Sequence, residues 1–154
     1  HFGVGDSSSE ETLKDVEKIL KHRDIDGVDL AILHPPYFDI IRFSDKAEDL
    51  SNTENIPQFL ASFGKVIHNT HKILKKKWYM VIVIGDAYKK GEWVPLGFMC
   101  MAEAQKYGFT LKSIIVKNIE GNRAKLWSGW IWKYRALSSD YYVFKHEYIL
   151  VFKK

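Results

Sequence analysis

Cysteine is nearly missing from this 154-residue chain. Cys100 stands alone, so no intrachain disulfide can form, and neither a CxxC pair nor a thiolate zinc site can be drawn. A reducing cytosol is the compartment that fits. Long apolar runs are lacking too: the strongest, Tyr79 to Ile84, is far too short to cross a bilayer, and no basic-then-apolar signal segment opens the chain. A soluble, cytoplasmic protein is expected. Proline and glycine, at 4 and 10 residues, are scattered at turns, so no linker divides the chain, and no internal repeat or low-complexity block occurs. There is no Gly-x-Ser-x-Gly elbow, no Walker-type phosphate loop and no paired histidine–carboxylate metal motif. Hydrolase and nucleoside-triphosphatase chemistries fall away. His68 and His71 share a helical face but have no carboxylate or cysteine at ligand spacing, so they read as surface histidines and no metal is expected.

What is present can build a sizeable core. Hydrophobic residues make up 46% and aromatics 14%, enough for one compact domain spanning residues 1–154. The net charge of +4 favours a polyanionic partner only weakly. The elements alternate. Ser7 to Ser9 with Glu10 and Glu11 start a helix whose apolar positions, Leu13, Val16, Ile19 and Leu20, recur at helical spacing to about Arg23. Val28 to Leu33 is a short buried strand stopped by two prolines. A second helix from Thr53 is marked by Ile56, Leu60, Phe63, Ile67 and Leu74, with Lys75 to Lys77 placed at its C-terminal end. Trp78 to Ile84 then reads as a strand covered on both faces. Pro95 suits the first turn of a third helix ending at Gly108, followed by a strand over Phe109 to Val116 and a last one over Glu147 to Phe152, antiparallel beside its predecessor. Such alternation predicts an α/β fold with a mostly parallel, doubly wound sheet.

In these sheets ligands bind beyond the carboxyl ends of the strands. Two loops sit there: His34 to Phe38 and Gly85 to Tyr88. Pro35 and Pro36 fix two backbone angles and remove two N–H donors, which holds the carbonyls of His34 and Pro35 as rigid acceptors. Tyr37 offers a flat face for stacking on a nucleobase, and Phe38 a second. Acceptors beside a stacking surface suit an exocyclic amine. A stiff turn with a core tyrosine is the plainer reading of the same residues.

His34-Pro35-Pro36-Tyr37, together with its entering strand Asp29 to Leu33, Val83-Ile84-Gly85-Asp86, Pro95-Leu96, Tyr107-Gly108-Phe109 and the run His146 to Phe152, resembles the DNA methylases that modify adenine N6 or cytosine N4. The resemblance implies a Rossmann-like, S-adenosylmethionine-dependent methyltransferase fold acting on a base flipped from duplex DNA, of the kind found in restriction–modification. It assigns the amine acceptors to His34 and Pro35, with Pro36 completing the rigid turn and Tyr37 stacking on the base. As the amine attacks, its nitrogen becomes tetrahedral and positive, so fixed acceptors stabilise the developing charge. The departure is His34, where the family has an acid, amide or hydroxyl. A neutral imidazole can accept and an imidazolium cannot, so activity is expected to fall in mild acid.

The family's glycine-rich cofactor segment, Asp-Pro-Phe-x-Gly-x-Gly, is absent, and Phe2-Gly3-Val4-Gly5 matches it only superficially. Gly5-Asp6-Ser7 better resembles the family's Gly-Asp strand end, which makes Asp6 and Ser7 the candidate cofactor residues. The sheet is therefore expected to be incomplete, with a missing segment or partner completing the cofactor site. Trp127, Trp130, Trp132 and Tyr134, interleaved with Arg123, Lys125, Lys133 and Arg135, suit either DNA contact or ordinary packing. Two alternatives stay open: methylation of RNA or of a protein glutamine amide, and a nonenzymatic nucleic-acid-binding module derived from a methylase.

Overall fold

A computed structural model describes residues 3–89, 91–119, 134, 137–138 and 145–154. Helix α1 spans Glu10–His22; the Ser9 hydroxyl accepts from the Thr12 amide at 3.1 Å and caps its start. Strand β1 is Val28–Leu33 and ends where the prolines begin. After a short 3₁₀ turn at Leu50–Asn52, α2 runs over Ile56–Ile73, capped by Asn55, whose Oδ1 accepts from the Gln58 amide at 2.9 Å. Strand β2 follows at once as Leu74–Ile84. A small hairpin, β3 (Ala87–Lys89) and β4 (Glu92–Val94), leads into α3, Leu96–Lys106, with Pro95 at its N-cap. Strands β5 (Thr110–Asn118) and β6 (His146–Lys153) complete the main sheet.

The lysine run is the first correction. Lys75 to Lys77 lie inside β2 and not at the end of α2. The Lys77 amide donates to the Lys154 carbonyl and the Lys154 amide returns a bond to the Trp78 carbonyl, each at 3.0 Å, while Lys75 pairs with Asp29 of β1 at 2.9 Å. Ladder bonds and a cross-strand ion pair outweigh the favourable placement of cations at a helix end, which contributes at most about 1 kcal/mol at an exposed site. The β1–β2 register shifts here, and Lys77 takes a positive φ of 71°.

The main sheet has the order β1-β2-β6-β5. β1 and β2 are parallel, whereas β6 is antiparallel to both of its neighbours. β1, β2 and β5 therefore point the same way, and β6 returns between β2 and β5. The expected antiparallel pairing of the last two strands is present, and β6 also inserts against β2. One sheet face carries the core: Met80, Ile82, Ile84, Leu150 and Phe152 pack against Phe59, Phe63 and Ile67 of α2 and Leu96, Cys100 and Ala104 of α3. Each such side chain stabilises the fold by about 1.5–3 kcal/mol for the large aliphatic and aromatic residues.

The expectation that β2 is covered on both faces meets a different arrangement. In register, Leu30 lies opposite Tyr79 and Ile32 opposite Val81, on the face away from that core. Among the described residues this face is open: Leu30 is 53% and Ile32 63% exposed, and Tyr79 is exposed as well. The unbroken apolar run of β2 is thus matched by cover on one face only within the described residues. Among these residues no helix is long and apolar enough to cross a membrane.

Candidate active site

The site gathers at the carboxyl ends of β1, β2 and β5, where β6 starts. Pro35 is buried and anchors the loop after β1, while His34 stays exposed and Tyr37 is half-buried. A cavity of about 550 Å³ opens on this loop, lined by the His34-to-Tyr37 stretch together with Ile40, Ile41, Phe43 and Asp49. Its size and its largely apolar wall with a few polar groups suit a planar organic ligand. His34 and Tyr37 meet with ring centroids 6.0 Å apart at 53°.

Phe38 does not join them. It is 1% exposed and packs edge-on against Phe59 at 6.0 Å between centroids, so it belongs to the core and offers no second stacking face. A φ of 58° turns it inward. That conformation costs a bulky residue about 1–3 kcal/mol, which burial of the ring offsets at about 1.5–3 kcal/mol. Lys89 lies over the same ring, 4.2 Å from its centroid, and pairs with Asp39.

Tyr37 is held from several directions. Its hydroxyl donates to Glu147 Oε2 at 2.5 Å, and Lys117 Nζ donates to Glu147 Oε1 at 2.5 Å. Burial first, and then the Glu147 carboxylate, push the Tyr37 phenol well above its ordinary range, so it stays protonated as a donor. Lys117 first, then Tyr37, hold Glu147 below the usual carboxylate range. Gly85 makes the approach possible, because a Cβ there would stand 2.8 Å from Tyr37 Cε2.

The second suspected loop is structural in a different sense. Asp86 is 4% exposed; its Oδ1 accepts from the Gly97 amide at 3.0 Å and its Oδ2 from the Tyr148 hydroxyl at 3.2 Å. Pro95 offers no side-chain cap to α3, so Asp86 supplies one from the neighbouring loop. Gly97 leaves the space that Tyr148 fills, since a Cβ would meet Tyr148 Cδ2 at 2.5 Å. Tyr88, also in this loop, is half-buried in β3.

The N-terminal candidates reach the same region. Ser7 borders a cavity of about 450 Å³ shared with His34, Pro35 and Pro36. Asp6 and Ser7 also border one of about 330 Å³ with Ser8, Pro36, Glu48 and Asp49. Asn69 of α2 ties this stretch down by donating to the carbonyls of Ser7 at 3.0 Å and Ser9 at 3.2 Å. The Asp6 carboxylate accepts from the Ser8 amide at 2.9 Å and the Ser8 hydroxyl at 3.0 Å. His71 meets the edge of Phe109 at 5.1 Å and His68 is exposed, which places neither in this site. Of the aromatic and basic segment, only Tyr134 falls within the described residues; it is exposed, and Arg123, Lys125, Trp127, Trp130, Trp132, Lys133 and Arg135 lie outside them.

Sequence reasoning missed Glu147 and Lys117 as parts of the site. The only signal was the position of Glu147 within the matched run His146 to Phe152, which says nothing of a partner 110 residues away.

Among solved structures, the chain is similar to a candidate DNA modification methylase of Thermus thermophilus, with 21% identity and a TM-score of 0.63 over 98% of this chain and 52% of that one. The same protein complexed with S-adenosyl-L-methionine gives 20% identity and a TM-score of 0.61 over 98% and 54%. The cytosine-N4-specific PvuII DNA methyltransferase gives 17% and 0.58 over 83% and 43%. The chain spans about half the length of these structures, and the likeness establishes the Rossmann-like methyltransferase fold. No curated protein matches it. A family model described as DNA methylase matches residues 28–154, from the first residue of β1 onward and including every residue of the His34-to-Tyr37 loop and the Lys117–Glu147 pair. The chain belongs to the DNA methylase family.

Proposed function

We propose that this chain carries the target-base site of an S-adenosylmethionine-dependent DNA methyltransferase that modifies the exocyclic amine of adenine or cytosine. The observation that supports it most is the His34-to-Tyr37 loop, which projects acceptors and a tethered aromatic ring into one cavity at the carboxyl end of a parallel strand. The base enters that cavity after leaving the duplex, because a paired amine is out of reach. Tyr37 stacks on it. His34 and the Pro35 carbonyl accept its amine hydrogens and orient the nitrogen lone pair outward.

The cofactor's chemistry fits the residues present around Pro36. Carboxylates from Asp6, Glu48 and Asp49, set against the single cation Lys46, and hydroxyls from Ser7 and Ser8 suit a cationic group that also carries ribose hydroxyls. Asp6 and Ser7 would hold it there. When bound, S-adenosylmethionine supplies an electrophilic methyl and a neutral thioether leaving group. The target nitrogen would take that methyl in place of one of its protons, which would pass to water beside the exposed His34. Fixed acceptors at His34 and Pro35 draw positive charge off that nitrogen as it develops, which is the stabilisation that accelerates transfer. No metal ligand and no covalent link to the protein enter this account.

The test is transfer of radiolabelled methyl from S-adenosylmethionine to unmethylated duplex DNA by the full-length protein that contains this chain, with Tyr37→Ala as control. Incorporation into DNA that the substitution removes is the expected result. Label in RNA or in protein, with DNA left blank, would replace this reading by one of the alternatives.

A further inference from the structure

Stacking needs the ring of Tyr37 and not its hydroxyl, since a phenylalanine presents the same face. The hydroxyl therefore serves something else. It donates at 2.5 Å to Glu147, a carboxylate only 7% exposed, whose second oxygen takes Lys117 at 2.5 Å. A buried carboxylate needs such partners, and bonds to an ionised acceptor are roughly twice as strong as neutral ones. Lys117 and Glu147 stand directly opposite each other in the β5–β6 register, so the ion pair is set by the sheet itself. The ring edge rests on Gly85, at the end of β2, where no Cβ fits. Three strand ends thus converge on one ring.

We infer that Glu147, clamped by Lys117, is a positioning residue that fixes the Tyr37 ring in its stacking orientation before the base arrives, with Gly85 as the stop on the ring's edge. This rests on the methyltransfer reading above for its purpose, but the clamp itself is a property of the protein alone. A ring already fixed does not have to be ordered during binding, and the amine meets its acceptors in one geometry.

Two readouts on the full-length protein separate the clamp from its purpose. In the first, 3-fluorotyrosine is placed at position 37 and its ¹⁹F resonance is followed in wild type, Glu147→Gln, Glu147→Ala and Gly85→Ala without DNA. The inference expects a single sharp signal in wild type that shifts and broadens in Glu147→Ala and is partly restored in Glu147→Gln, which keeps an acceptor oxygen. A signal unchanged by Glu147→Ala overturns the clamp, whether or not the protein methylates anything. In the second, Tyr37→Phe and Glu147→Ala should each lower kcat for methyl transfer by a similar factor, on the order of tenfold, and the double variant should be no worse than either. Additive losses, or a drop in thermal stability with kcat intact, would make Glu147 a structural brace and overturn the inference. A wild type that moves no methyl while the fluorine signal responds to Glu147 contradicts the methyltransfer reading alone and leaves the clamp standing.

Discussion

The loops that follow β1 and β2 begin alike, each leaving the carboxyl end of a neighbouring parallel strand, yet they do opposite work. The first, His34 to Phe38, presents groups to a cavity: an exposed imidazole, a rigid proline pair and a half-buried ring. The second, Gly85 to Tyr88, mostly supports: Gly85 contributes an absence of side chain beside Tyr37, and Asp86 spends both carboxylate oxygens on Gly97 and Tyr148. Position in an α/β sheet marks where function gathers, but hydrogen bonding decides which residues face the ligand and which hold others in place. A buried acid that spends both oxygens on other protein groups holds those groups in position.

The contrast is most easily broken at the presenting loop. Tyr37→Ala should lower methyl transfer by the full-length protein at least on the order of 100-fold, equivalent to about 2.7 kcal/mol of transition-state stabilisation, while the unpaired Glu147 oxygen should lower the unfolding free energy by no more than about 1–3 kcal/mol. Steady-state kinetics beside a thermal melt would check it, and a parallel loss of fold would move Tyr37 to the bracing side. The supporting loop should behave in reverse: Asp86→Ala leaves the Gly97 amide and the Tyr148 hydroxyl without their acceptor and costs about 1–3 kcal/mol in denaturant unfolding. An Asp86→Ala protein that unfolds like wild type but has lost activity would mark a direct role in the site.

Smaller effects sharpen the same division. Glu147 has a folded pKa below its unfolded value near 4.5, so its contribution is present above that pH and is lost as pH falls through the folded pKa. Stability of wild type should therefore decline from about pH 4.5 downward, and Glu147→Gln should flatten that part of the acid profile; an identical slope in the variant would mean that the pair with Lys117 contributes nothing. Least of all, Lys75→Met, which removes a partly exposed ion pair with Asp29, should change unfolding free energy by less than about 1 kcal/mol. A larger change would show that this pair outweighs the backbone bonds to Lys154 in holding the irregular start of β2.

How far these roles could be read in advance varies with how local their cause is. The proline pair ends β1 through its own chemistry, so the strand, the loop and its place at the strand's carboxyl end were legible, whereas the burial expected of β1 is not met among the described residues. The helix starts were legible for the same reason, in Ser9 ahead of two acidic residues and in Pro95 ahead of an apolar run. Lys75 to Lys77 were misplaced because a basic run after a helix looks like its end, whereas the bonds that put it in a strand come from Asp29 and Lys154, far away in sequence. Phe38 looked like a twin of Tyr37 until one positive φ sent the two rings in different directions. The Glu147–Tyr37 bond and the insertion of β6 between β2 and β5 depend on long-range register, which no local pattern encodes.

Everything in this account turns on an exocyclic amine being the group held beside Tyr37. The most direct measurement is to let the full-length protein methylate unmodified duplex DNA, digest the product to nucleosides and identify the methylated base by mass spectrometry. N6-methyladenine or N4-methylcytosine, absent from the Tyr37→Ala reaction, is the predicted result. Methyl on a ring carbon of cytosine, or none on DNA at all, would contradict it.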